Sequence, residues 1–147
     1  VSLWEGTIRV PMIISYPGGK EQHGSTCNSI SELLDLYPTL AELCGLADQQ
    51  PAILQGKSLA GVVKKGLIPE PGRIAYTTVR GGQASSIRTE RWRYTRWTED
   101  AVAGMEELYD HSVDKEELRN LADHPDYRKV LLEMRSLFEE RRQIARK

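Results

Sequence analysis

Six arginines crowd one short stretch of this chain, Arg73, Arg80, Arg88, Arg91, Arg93 and Arg96, and the last of them are interleaved with Trp92, Tyr94 and Trp97. Three kinds of chemistry use that combination. A basic surface with aromatic steps binds nucleic acid, the backbone followed by charge and the bases stacked on rings; an anionic glycan would use the same charge. A guanidinium fork matches a carboxylate or a sulfate, so Arg88, Arg93 and Arg96 are candidates to face an anionic small substrate. The third use is structural. Trp92 and Tyr94, two apart on a strand, would turn together into a core while the arginines pair with the acidic stretch from Glu99 to Asp126. That reading also explains why a chain with a net charge of only -1 segregates its charges so sharply.

The other chemistry-bearing residues offer less. His23, His111 and His124 have no carboxylate or cysteine at a metal or triad spacing, and His23 and His124 read as solvated loop residues. No serine occupies a strand-turn-helix elbow, and no glycine-rich loop has a phosphate-cradling spacing. Asp110, Asp114, Glu116, Glu117 and Asn120 invite comparison with a calcium loop, but they lack its alternating oxygen ligands and central glycine, so turn and capping roles are expected. Cys27 and Cys44 form no metal or disulfide framework and are expected to be buried free thiols. Read from its residues alone, the chain contains no recognisable catalytic set and no metal ligands.

These residues must be held by elements that the pattern of apolar side chains outlines. Arg9 to Tyr16 is apolar nearly throughout and closed by Pro17-Gly18-Gly19, which predicts a strand covered on both faces. Apolar residues recur at helical spacing from Ile30 to Leu46; Pro38 divides them into an approach segment and a helix from about Leu36 to Cys44, with Asp35 as candidate cap and Gly45 as the stop. Residues 47–73 are rich in proline and glycine and read as a boundary, with a short helix at Leu59 to Lys64. Short strands follow at Arg73 to Val79, in a hairpin from Ser85 to Trp97, and at Glu107 to Asp110, with antiparallel pairing implied by the short connections. A long amphipathic helix from Asp126 to Arg146, with Pro125 in its first turn, ends the chain. With 147 residues, 39% hydrophobic and 28% charged, the composition is that of ordinary globular structure, and no apolar run approaches a membrane span.

Five stretches, in this order, resemble the C-terminal part of the sulfatase family. "LWEGTIRVPMIISYPGG" is similar to that family's Trp/Tyr-Glu-Gly-x-x-Arg-Val-Pro segment, "SISELLDLYPTLAELCGL" to its Ser-x-x-Asp-Leu-x-Pro-Thr-Leu segment, and "LQGKSLAGVV" to the Leu-x-Gly-x-Ser-Leu that follows. "SSIRTERWRYTRW" and "ELYDHSVDKEELRNLADHP" resemble the paired strands and the Asp-Pro-x-Glu-x-x-Asn-Leu motif of its C-terminal subdomain, with Lys115 in place of the usual proline. The hairpin looks most like the iduronate-2-sulfatase-like branch.

The resemblance implies an α/β protein, α+β as it stands: residues 1–70 as the end of an alkaline-phosphatase-like α/β domain, and residues 73–147 as a small antiparallel sheet with a long helix packed across it. It implies that the lysine holding the substrate sulfate falls just before Val1, and that a formylglycine nucleophile and a calcium ion belong to an N-terminal catalytic portion, the partner of this chain. Neither a Cys/Ser-x-Pro-x-Arg motif nor an Asp-Asp pair is present here to carry them. The expected function is hydrolysis of sulfate esters, of sulfated carbohydrates or aryl sulfates, only as part of the complete exported enzyme. The chain alone is expected to be inactive and, with an uncovered strand, to self-associate. The alternative is a stand-alone binding module that takes anionic glycan or, less readily, nucleic acid on the Arg73 to Trp97 face.

Overall fold

In the computed structural model, which describes residues 2–18, 24–100 and 104–146, the chain forms two compact units: Pro11–Arg73, and a second that joins Val1–Val10 to Ile74–Lys147. The sequence reading grouped the first ten residues with the helical half, whereas here they cluster with the sheet.

The second unit is α+β. Its strands β1 (Ala75–Val79), β2 (Ala84–Arg88), β3 (Trp92–Arg96) and β4 (Glu106–Asp110) form one antiparallel sheet in the order β1-β2-β3-β4. Register explains its core. Tyr76 lies opposite Ile87, Ile87 opposite Tyr94, and Tyr94 opposite Leu108, so one row of large side chains crosses all four strands on one face. That face is covered by helix α4 (Arg128–Ala145), whose Leu131, Met134 and Phe138 are buried in the same cluster. The Phe138 ring meets Tyr94 edge-on with centroids 5.4 Å apart, and Tyr76 at 5.9 Å. The helix begins through a single 3-10 turn, Pro125–Tyr127, where proline needs no N–H bond and the His124 ring accepts from the Asp126 N–H. A one-turn helix α1 (Glu5–Ile8) completes this unit.

The first unit is helical and irregular. A 3-10 turn, Leu33–Asp35, leads into α2 (Leu36–Leu43), and α3 (Ala60–Lys65) follows a loop. Pro38 falls in the first turn of α2, where it costs no hydrogen bond, and Gly45 adopts a φ of 74° just past its end.

Three expectations require correction. Arg9 to Tyr16 forms no strand: it runs without ladder partners, and Ile13 is 91% exposed, because a lone strand has nothing to satisfy its backbone. Cys27 and Cys44 are free but exposed rather than buried, each lying outside the apolar clusters. Asp35 is buried and makes no side-chain cap on α2; its carboxylate instead reaches back to the Glu32 N–H, closing a capping box on the preceding 3-10 turn, and across to Lys57 and Arg73. His23 lies outside the described residues. Among the described residues no helix is long and apolar enough to cross a membrane.

Candidate functional site

The sheet turns two different faces to two different charge clusters. On the face away from α4, Arg88 and Arg93 are direct register partners on β2 and β3. Neither projects freely. Arg93, fully buried, donates from Nε to Glu117 Oε1 at 2.5 Å, from Nη1 to Ser86 Oγ at 3.2 Å, and from Nη2 to Glu5. Arg88 donates to the same Glu5 carboxylate at 3.4 Å. Glu117 also accepts the Glu5 backbone N–H at 2.7 Å, and its Oε1 lies 2.8 Å from His111 Nε2. Burial raises the Glu117 pKa, but hydrogen bonds from His111 and the Glu5 amide, with the Arg93 charge, outweigh it and hold the carboxyl below its ordinary value. Glu117 does this from a φ of 56°, a left-handed conformation that is costly for any residue but glycine and persists only where its surroundings over-determine it.

Glu5, His111 and Glu117 offer three ligand atoms within 4.8 Å of one another. The set does not fit a calcium ion. Two guanidinium groups already occupy its carboxylates and balance their charge, and a hard cation seeks six or more oxygens.

On the α4 face, Glu106 is the hub. It accepts from Tyr94 Oη and from both Nε, at 2.9 Å, and Nη2 of Arg135. Burial again pushes this carboxyl up while Arg135 and Tyr94 pull it further down, and the Tyr94 hydroxyl is pushed up by its own burial and by Glu106. Arg96 stacks on the Phe138 ring at 4.3 Å and donates to Glu139 at 2.6 Å. Arg91, at the rim, grips Asp110 with Nε and Nη2, which holds that carboxyl well below the usual range.

The three arginines expected at a substrate are therefore divided. Arg88 and Arg93 share one face, Arg96 lies on the other, and each is paired with a carboxylate. The acidic segment supplies partners for Arg91 and Arg93, whereas Glu5 and Glu139 come from elsewhere in the chain. Asp114 and Asn120 have the turn roles expected, Asp114 accepting from the N–H groups of Leu118 and Arg119 and Asn120 from that of Ala122, but Asn120 also bridges the Leu108 N–H and the Glu106 carbonyl, and Glu117 is a buried ion-pair partner rather than a turn or cap residue. The Glu5 to Glu117 meeting was not legible, because more than a hundred residues separate the two.

In the helical unit the motif residues also hold one another. Asp35 accepts from the Lys57 N–H at 2.8 Å and the Glu32 N–H at 2.9 Å, and pairs with Arg73. The Thr39 hydroxyl accepts from the Leu59 N–H at 2.8 Å and donates to the Asp35 carbonyl at 2.5 Å. Gly56 passes so close to the Leu34 carbonyl that a Cβ there would lie 2.0 Å from the oxygen. A cleft of about 310 Å³ lined by Lys57, Ser58, Leu67, Glu70 and Arg73 adjoins this staple. Its cations are paired, Lys57 with Glu70 and Arg73 with Asp35.

The arginines singled out by the sequence are thus paired within the chain, and the motif residues of the helical unit bond one another. Residues 2–144 match the family model described as N-sulphoglucosamine sulphohydrolase, C-terminal, and the chain belongs to that family of sulfatase C-terminal regions. It is 33% identical over 150 residues, covering 95% of this chain, to the Delta 4,5-hexuronate-2-O-sulfatase of Bacteroides thetaiotaomicron, and 31% identical over 86% of the chain to Arylsulfatase K of Danio rerio. It spans 30% and 25% of those two proteins. Among solved structures, one in complex with its substrate D-glucosamine-2-N,6-O-disulfate superposes with a TM-score of 0.67 at 25% identity, over 82% of this chain and 26% of that one.

Proposed function

We propose that the chain is the C-terminal part of a sulfatase and serves the hydrolysis of sulfate esters of glycans as framework for a catalytic portion carried elsewhere in a longer, exported protein. The observation that carries this reading is the family match across nearly the whole chain, set against relatives more than three times its length. Three similar proteins named for hexuronate 2-O-sulfate, ulvan or a disulfated glucosamine support sulfated sugars as the substrate class. In this role Arg88, Arg93 and Arg96 act on the substrate indirectly, by fixing Glu5, Glu117 and Glu139. The formylglycine and calcium of that enzyme would be supplied by the catalytic portion.

The test is sulfate release from an aryl sulfate and from sulfated disaccharides. The 147-residue chain alone should show none, with or without calcium. Turnover that follows the chain through stringent purification would overturn the scaffold role, and a complete protein inactive on every sulfate ester would overturn the sulfatase reading. The binding-module alternative predicts heparin or single-stranded DNA affinity that falls steeply with salt. The pairing of each described arginine side chain on the Arg73 to Trp97 face with an acceptor argues against it.

A further inference from the structure

Residues 3–9 rejoin the sheet from far away in sequence, and what attaches them is chiefly charge. Leu3 is buried, but among residues 2–10 no other side chain is, and α1 buries none. The remaining attachments are the Glu5 N–H to Glu117, the Glu5 carboxylate to Arg93 and Arg88, and Trp4 Nε1 to Glu107 at 3.2 Å. Two of these three sets end on carboxylates of the β4 region, and the third on guanidinium groups of β2 and β3. A single side chain, Glu117, holds both the backbone of the segment and the arginine that grips its carboxylate, and it does so from a strained backbone conformation.

We propose that residues 3–9 are a strap and Glu117 its catch: the strap opens as a unit, without unfolding of the sheet, when Glu117 or Glu5 loses its charge. The groups that face the catch are Glu5 on α1, with Arg9 3.8 Å from it, Arg88 on β2, Arg93 on β3, and His111 at the end of β4; Glu107, Tyr109 and Asp114 lie around them. Two carboxylates against two guanidinium groups, Arg93 buried and Arg88 partly so, make the closed strap nearly neutral, so removing one negative charge leaves an arginine uncompensated and drives the segment out. The lowered Glu117 pKa keeps the catch closed near neutral pH and sets release on the acid side of the ordinary carboxylate value. Local opening of this kind is the low-energy end of native-state fluctuation, distinct from global unfolding.

The experiment is residue-resolved hydrogen exchange near neutral pH on the chain and on its Glu117→Gln and Glu5→Gln variants. The reporting amides are Glu5, Thr7, Ile8 and Arg9, all hydrogen-bonded within the strap or to the catch. Both variants should lose about tenfold or more of the protection at these amides while β2 and β3 keep theirs, as expected for loss of a charge-assisted bond. Unchanged exchange at the strap in both variants overturns the proposal, as does equal loss across strap and sheet, which would make the segment part of one cooperative unit. If Glu117→Gln does not fold, Glu5→Gln decides, since the substituted residue lies in the strap and Arg93 keeps its bonds to Glu117 and Ser86. The result does not depend on sulfatase activity.

Discussion

Glu106 and Glu117 stand on opposite faces of one sheet, and both are carboxylates whose burial is outweighed by guanidinium and hydrogen-bond partners. The sign of the linkage follows from the lowered values. Both contribute stability in full above the ordinary carboxylate value of 4.5, and both lose it as pH falls below that value toward their lowered ones. Urea unfolding at stepped pH should therefore show a falling free energy on the acid side; a flat profile there would contradict the pairing. Glu106→Gln leaves the buried Tyr94 hydroxyl a neutral partner and Arg135 without its charge partner. Arg135 is 37% exposed and can turn to water, so we expect a loss of about 1–3 kcal/mol at neutral pH rather than the full cost of an isolated buried charge.

At the scale of elements, the aromatic side of the sheet carries the clearest expectation. Phe138 is fully buried against Tyr76 and Tyr94, so Phe138→Ala should cost roughly 3–5 kcal/mol, read as a large drop in melting temperature. In the helical unit, Gly56→Ala should displace the loop from Leu34 and weaken the staple of Asp35 and Thr39, lowering amide protection at Lys57 and Leu59. Unaltered exchange at both would show that the loop yields without loss. The strands, their antiparallel pairing and α4 were legible, because short connections and a helical stripe encode pairing and burial locally. The Arg9 to Tyr16 strand was misread for the complementary reason: an apolar run states what it would bury, not whether a partner strand is present. Asp35 caps the 3-10 turn before α2 rather than α2 itself, and sequence pattern alone does not say which of two consecutive turns such a residue serves or that it also holds Lys57 and Arg73. The Glu5 cluster escaped notice because neither spacing nor periodicity relates residues brought together only by tertiary folding.

At the scale of the whole molecule, the helical unit exposes Ile13, Leu33, Leu34, Tyr37, Leu40, Ile53 and Ile68, each by more than half, while Leu59 and Ala60 are among its few buried apolar residues. So much uncovered apolar surface is the mark of an association site. Sedimentation equilibrium of the isolated chain should give a dimer or larger species, shifted toward monomer by Leu34→Glu with Leu40→Glu. A strict monomer at every concentration would refute this. The sheet has a different character, since its neighbours in space are its neighbours in sequence. A meander has low contact order and needs only short loops to close, so it can form early and by itself. The strap must instead wait for closure around the whole of Pro11–Arg73, and it docks on a sheet already built. Because closure entropy grows only logarithmically, doubling that intervening segment would cost about 0.6 kcal/mol more. The sheet and its strap can thus accept helical insertions of very different length between them, which leaves the segment between residues 10 and 74 free to lengthen or shorten while the framework that frames it stays the same.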